Sequence, residues 1–153
     1  MILIDTNSLI VLVLGMINPN IVNSHPRTSI YSCQDYIELI SVIEDLSNLI
    51  VLPNIWTEVD NLLSNNNKNI KDKCVQNIKL LTEKTTEKYL ETRLAYNTPY
   101  IYEVGLTDSL IIEIAKECQL LITSDSRLSD IAIANGVEVY DMIKIKHLRA
   151  GIN

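Results

Sequence analysis

The sequence predicts an α/β fold: a central parallel sheet of about four or five strands flanked by helices. Three observations predict the α/β class. Short apolar runs recur at Met1–Ile4, Ile50–Leu52, Leu120–Thr123 and Val137–Tyr140, each the length of a buried strand. Segments with apolar residues at helical spacing lie between them. Strand and helix alternate, the pattern of parallel strands joined by helical crossovers. At 153 residues the chain fits one domain, 1–153.

Met-Ile-Leu-Ile ends in Asp5, as a buried parallel strand would. Thr6, Asn7 and Ser8 can cap a helix from Leu9 to about Met16. The stretch from Asn18 to Ser32 is polar, holds Pro19, His25 and Pro26, and reads as a long loop, mobile or rimming a substrate. Asp35–Leu49 carries apolar residues at Ile37, Ile40, Ile43, Leu46 and Leu49 and reads as one helix. After the second strand, Pro53 opens a helix through Trp56 and Leu63, ending at the asparagine-rich Asn65–Asn69. Asp72–Leu94 reads as one or two helices with Val75, Ile78, Leu81 and Leu90 inward. Tyr100–Val104 leads to a break at Gly105; Thr107 then caps a helix from Asp108 to about Cys118. The third strand ends at Asp125, a helix runs Ser126–Ala134, and Gly136 is placed to stop it.

Composition narrows the setting. Hydrophobic residues make up 47% and charged residues 21%, ordinary for a globular protein. With no Phe, the core must be built from Ile, Leu and Val. Cys33, Cys74 and Cys118 are odd in number and widely spaced, which is neither a disulfide framework nor a zinc motif. No segment reaches the roughly 20 apolar residues of a membrane span. The apolar opening lacks a basic flank and is broken by Asp5 and Asn7, so the expected setting is cytoplasmic. The net charge of −6 runs against nucleic-acid binding, unless acids gathered on metal account for most of it.

In a parallel sheet with helices on both faces, sites form beyond the carboxyl ends of the strands. Asp5 and Asp125 lie at such ends. Asp108 opens the helix before the third strand, and Glu58 lies one turn into the helix after the second. Each has an ordinary reading as well: Asp5 and Asp125 as helix caps, Asp108 as a helix-start acid favoured by the macrodipole, Glu58 as a surface residue. Four carboxylates brought together resist ionising side by side. Divalent metal removes that conflict, and oxygen-only ligation favours Mg²⁺ or Mn²⁺.

Ile-Leu-Ile-Asp5-Thr6-Asn7, Trp56-Thr57-Glu58, Gly105-Leu106-Thr107-Asp108-Ser109-Leu110-Ile111 and Leu121-Ile122-Thr123-Ser124-Asp125 resemble, in order and separation, the PIN domain. Among its members the chain looks most like VapC-like toxins, single-domain bacterial ribonucleases. The resemblance implies a metal-dependent ribonuclease with Asp5, Glu58, Asp108 and Asp125 as its catalytic acids and metal ligands, Asp5 central among them. It implies support from Thr6, Asn7 and Thr123. Asp130, one turn past Asp125, is a candidate extra acid, though a solvated helix face is its plainer reading. Two features depart from the family: the long loop from Asn18 to Ser32, and Ser124 where a basic residue is common. As a toxin the protein would have RNA as substrate, an antitoxin over the acidic pocket, and a homodimer or that antitoxin on apolar residues of the helices after Ser32.

Arg27, Arg93, Lys144, Lys146 and Arg149 are candidate phosphate contacts; as solvated surface they need no such role. His25 and His147 are not needed by the chemistry. A receiver domain would want paired acids after the first strand, and a haloacid-dehalogenase phosphatase Asp-x-Asp where Asn7 stands. No Gly-rich phosphate loop is present. Two rivals stay open: a PIN-fold binding or scaffold module, and a DNA-directed nuclease.

Overall fold

All four apolar runs form strands, and a fifth strand joins them. The computed structural model describes residues 1–152. Its five strands are β1 (Ile2–Ile4), β2 (Leu49–Val51), β3 (Thr86–Glu87), β4 (Leu120–Thr123) and β5 (Val139–Asp141). They form one sheet in the order β3-β2-β1-β4-β5, every neighbouring pair parallel. Chain order runs outward from the middle in both directions, so the switch point lies between β1 and β4. Leu3 pairs there with Leu121 and Ile4 with Ile122. Such a switch leaves a crevice at the carboxyl ends of the two strands.

The helices are α1 (Thr6–Ile17), α2 (Cys33–Ile43), α3 (Pro53–Leu63), α4 (Lys68–Lys84), α5 (Thr92–Tyr96), α6 (Ile101–Ala115), α7 (Ser126–Ala134) and α8 (Met142–Arg149). Helix α1 packs against α2, α3 and α4, while α6 packs against α5 and α7. Residues Leu9–Leu14 of α1 are all buried, because neighbours surround that helix; this is why its sequence shows an apolar run and no stripe. At Gly15 the neighbour is closest. A Cβ there would lie 2.1 Å from the Tyr36 ring, so glycine is what lets α2 approach. Among the described residues no helix is long and apolar enough to cross a membrane. All three cysteines are free thiols.

Several expectations need correction. Helix α1 starts earlier, and Asp5 caps it instead of Thr6, Asn7 or Ser8. The helix expected over Asp35–Leu49 stops at Ile43; Glu44 takes φ 61°, and a 3₁₀ turn, Leu46–Asn48, leads into β2. Its buried apolar residues are Leu39 and Ile43, whereas Ile37 and Ile40 face out. The segment has more apolar residues than one face can hold, so two helical stripes competed and tertiary packing chose. In the next region Cys74 and Leu81 are buried and Val75 is exposed. Strand β3 lies in what read as helix; its two residues are exposed and carry no apolar run. Tyr100–Val104 is a helical turn, continuous with α6 except at Gly105. The last strand begins two residues later than expected. The 18–32 segment is a folded strap: it holds a 3₁₀ turn, Pro19–Ile21, and buries Val22, Thr28 and Tyr31.

Candidate active site at the carboxyl edge of the sheet

The chain leaves β1 into α1 at Asp5 and leaves β4 into α7 at Asp125, and each acid caps the helix it enters. Capping and clustering are therefore not alternatives here. Asp5 Oδ1 accepts from the Ser8 amide at 2.8 Å. Its Oδ2 accepts from Thr123 Oγ1 at 2.5 Å and from the Ser124 amide at 3.0 Å. The Asp5 amide itself donates to Ile122 O at 3.0 Å. Asp125 Oδ1 accepts from the amides of Arg127 and Leu128.

Thr123 links the two. Its Oγ1 accepts from the Asp125 amide at 3.0 Å, which commits its own proton to Asp5. Asp5 is only 4% exposed. Burial raises its pKa, and the hydrogen bonds from Ser8, Thr123 and Ser124 offset only part of that rise.

Glu58 enters from α3 and is held by both oxygens. Thr6 Oγ1 donates to Oε2 at 2.6 Å and Thr107 Oγ1 to Oε1 at 2.7 Å. One carboxylate thus ties α1, α3 and α6 together. Asp108 follows the break in α6 at Gly105, whose φ of 81° and ψ of −172° belong to a region that only glycine occupies at low cost. The break lets the chain re-enter a helix with Thr107 and Asp108 turned to the cleft. Burial, followed by the charges of Asp125, Asp5 and Glu58, pushes the Asp108 carboxyl up to about 7.

The cleft has a volume of about 410 Å³ and is lined by all four acids with Thr6, Asn7 and Thr107. Among the described residues no Lys or Arg lines it. Asn7 is exposed at its mouth. Three contributors went unassigned in the sequence. Thr107 clamps Glu58, the Ser124 amide binds Asp5, and Ser124 Oγ lies 3.0 Å from Ser8 Oγ. Thr107 could have been found, since it adjoins Asp108 after a glycine break.

The other candidates are elsewhere. Asp130 faces Lys144 at 2.9 Å, away from the cleft lining. Arg149 pairs with Asp35 at 2.5 Å and with Glu38 at 2.6 Å, and Lys146 lies 3.9 Å from Asp35. Arg93 pairs with Glu91 on the surface. Arg27 lines a neighbouring cleft.

No family model matches the chain, and no curated protein matches it. One solved structure similar to it is described as a domain of a functionally unknown protein from Methanocaldococcus jannaschii DSM 2661. The two share 20% identity over 92% of this chain and 89% of that one, with a TM-score of 0.47. At that level the likeness carries no argument about activity.

Proposed function

We propose that this protein is a PIN-type endoribonuclease, similar to VapC-like toxins, which hydrolyses RNA phosphodiester bonds with Mg²⁺ or Mn²⁺ at the carboxyl-edge cleft. One observation carries the reading. Asp5, Glu58, Asp108 and Asp125 line a single cleft that no protein cation lines, and the resulting repulsion helps to hold Asp108 at about 7. A protein gains nothing in stability from such an arrangement, so a ligand of opposite charge is its natural explanation.

The donor set fits a hard divalent cation in chemistry, being carboxylate oxygen throughout. It does not yet fit in geometry. Among the described residues no three Asp, Glu, His or Cys side chains are gathered closely enough to hold an ion. Each Glu58 oxygen accepts one threonine hydroxyl and keeps a lone pair for a cation. Asp5, Asp108 and Asp125 would hold the ion, with Glu58 completing the set. A divalent ion bound there supplies Lewis acidity toward the phosphate and toward a water. The chain's own part is to hold Asp5 in one orientation through Ser8, Thr123 and Ser124 and to place Asp125 by its capping bonds.

The test is cleavage of end-labelled RNA and DNA with Mg²⁺, Mn²⁺ or chelator, comparing wild type with Asp5→Asn. The expected result is metal-dependent RNA cutting by wild type alone, leaving 5′-phosphate and 3′-hydroxyl ends. Cutting of DNA only would move the substrate. Equal cutting by Asp5→Asn would refute the site. A second reading, a PIN-fold binding module, is favoured by the ungathered acids; it gains if a well-folded protein binds no divalent ion and cuts neither polymer. As a toxin, the protein would meet an antitoxin or a second copy through exposed Ile37 and Ile40 on α2. Light scattering that shows a strict monomer would remove the homodimer.

A further inference from the structure

A second cleft, of about 310 Å³, is lined by His25, Pro26, Arg27, Leu62, Asn65 and Asn66. Leu62 also lines the acidic cleft, so the two adjoin. The walls come from the 18–32 strap and from the turn between α3 and α4, and these are locked together. Asn66 Nδ2 donates to Leu63 O at 2.8 Å, which turns its Oδ1 toward His25 Nε2, 2.6 Å away. The Arg27 amide donates to His25 Nδ1 at 3.1 Å. Nδ1 is therefore the acceptor and Nε2 the donor, and His25 serves as a strut between the two segments. Beneath it Thr28 Oγ1 donates to Val22 O at 2.5 Å, with both residues fully buried.

The lock uses up His25 and Asn66 and leaves two groups over. Among the described residues the Arg27 guanidinium has no acid partner, and the Asn65 amide has no hydrogen bond. The other basic residues nominated for phosphate contact are all in ion pairs. Arg27 alone of that group stands unneutralised, and it stands beside the acidic cleft. A polyanion whose scissile phosphate lies among four carboxylates needs a cation close by to hold it. A volume of this size suits one nucleotide.

Resting on the ribonuclease reading above, we infer that this cleft is a nucleotide subsite of the same site. Arg27 holds the phosphate next to the scissile one. The planar Asn65 amide reads the edge of the adjoining base, whose faces meet Pro26 and Leu62. The strand enters single, because a base must leave its stack to reach the amide. The strap thus sets which RNA is cut while the acids set how.

The test uses fluorescein-labelled single-stranded RNA, its binding followed by anisotropy with Asp5→Asn in Mg²⁺ and with wild type in chelator, so that no strand is cut. Wild-type cleavage is assayed in parallel. Arg27→Ala is expected to weaken binding about tenfold and to reduce the salt slope of log K by about 0.7, one phosphate contact on a single strand. Arg27→Lys restores the slope but not the full affinity. Asn65→Ala levels the affinities for the four homopolymers. Both positions are exposed, and an unchanged melting temperature checks the fold. If wild type cuts RNA while these variants keep affinity, slope and base preference, the subsite is overturned and the nuclease stands. Arg27-dependent binding without cleavage keeps the subsite and removes the nuclease. RNA neither bound nor cut overturns both.

Discussion

Two corners of this molecule gather acids, and they handle the charge in opposite ways. Where α2 meets α8, Asp35 is nearly buried, yet Arg149 and Lys146 reach it and Arg149 also takes Glu38. Burial pushes the Asp35 pKa up, but hydrogen bonds from Arg149 and Ser32 outweigh it and leave the carboxyl below its ordinary value. At the carboxyl edge of the sheet, Asp5, Glu58 and Asp125 receive hydroxyls and amides and no cation, and Asp108 is pushed up to about 7 by burial and by the charges of the other three. An acid cluster answered by its own chain is structure. One left unanswered is a demand on something outside the chain, which is why the second corner, and not the first, reads as the site.

The largest effect that could break this comparison is on chemistry. Under the proposed nuclease function, Asp108→Asn is expected to lower RNA cleavage by about a thousandfold or more, as removing one member of a cooperating set does. Arg149→Ala should leave cleavage within about threefold, because the Asp35 corner lies outside the cleft lining. Its cost falls on folding. It strips the main partner from a carboxylate 4% exposed, and breaking a buried pair costs about 3–5 kcal/mol. With Arg149 itself about one-third exposed, roughly 2 kcal/mol is expected, read by urea denaturation. A stability loss for Asp108→Asn equal to that of Arg149→Ala would erase the distinction.

Backbone positions should fall between the two. Gly15→Ala would drive a methyl into the Tyr36 ring and is expected to cost about 1–3 kcal/mol by overpacking without changing metal dependence. Gly105→Ala has open space around its Cβ but a positive φ, so about 1–3 kcal/mol of strain is expected. That strain falls on the turn that aims Thr107 and Asp108, so cleavage should fall with it. Equal cleavage by both variants, at equal folded fraction, would mean that the Gly105 break does not aim the site.

How much of this was legible follows the same physics. Asp5 and Asp125 could be found because a buried strand ending in an acid is a local pattern, and strand order brings such ends together. The α/β class and the parallel sheet followed from the same runs. Strand β3 was not legible, since Thr86 and Glu87 are exposed at the sheet edge and carry no apolar signal. Nor was the inward face of α2 legible beyond Ile43, since Leu39 joined it there and Ile37 and Ile40 were left outside only through packing. The ion pairs of α8 were hidden by distance along the chain: Arg149 and Asp35 are 114 residues apart, so Arg149 read as a free tail base. The strap over 18–32 read as loose because its anchors are single buried residues, Val22, Thr28 and Tyr31, with no period between them. The threonine clasp on Glu58 joins three helices, and no spacing within one of them announces it.

The smallest predicted effect is the most discriminating, because its sign separates the corners. The folded state holds the Asp108 proton up to about pH 7, while the unfolded chain releases it near 3.8. Between those values the folded protein binds more protons, so the Asp108 contribution to stability falls as pH rises. Asp35 runs the other way: its contribution is present above 3.8 and is lost as pH falls through its lowered folded value. A shift to about 7 would amount to about 4 kcal/mol if fully expressed, but Asp108 is partly open to solvent, which reduces the expectation to roughly 1–2 kcal/mol. Metal-free Asp108→Asn should therefore match wild type near pH 4 and become more stable than it by that amount at about pH 8. Mn²⁺ should then reverse the order at the higher pH, raising the melting temperature of wild type by binding the folded state and leaving the variant nearly unmoved. At the lower pH protons occupy the carboxylates, and the ion should do little to either. A variant less stable than wild type at every pH, with or without Mn²⁺, would mean that Asp108 belongs to the architecture as Asp35 does, and that the four acids are not held in mutual opposition.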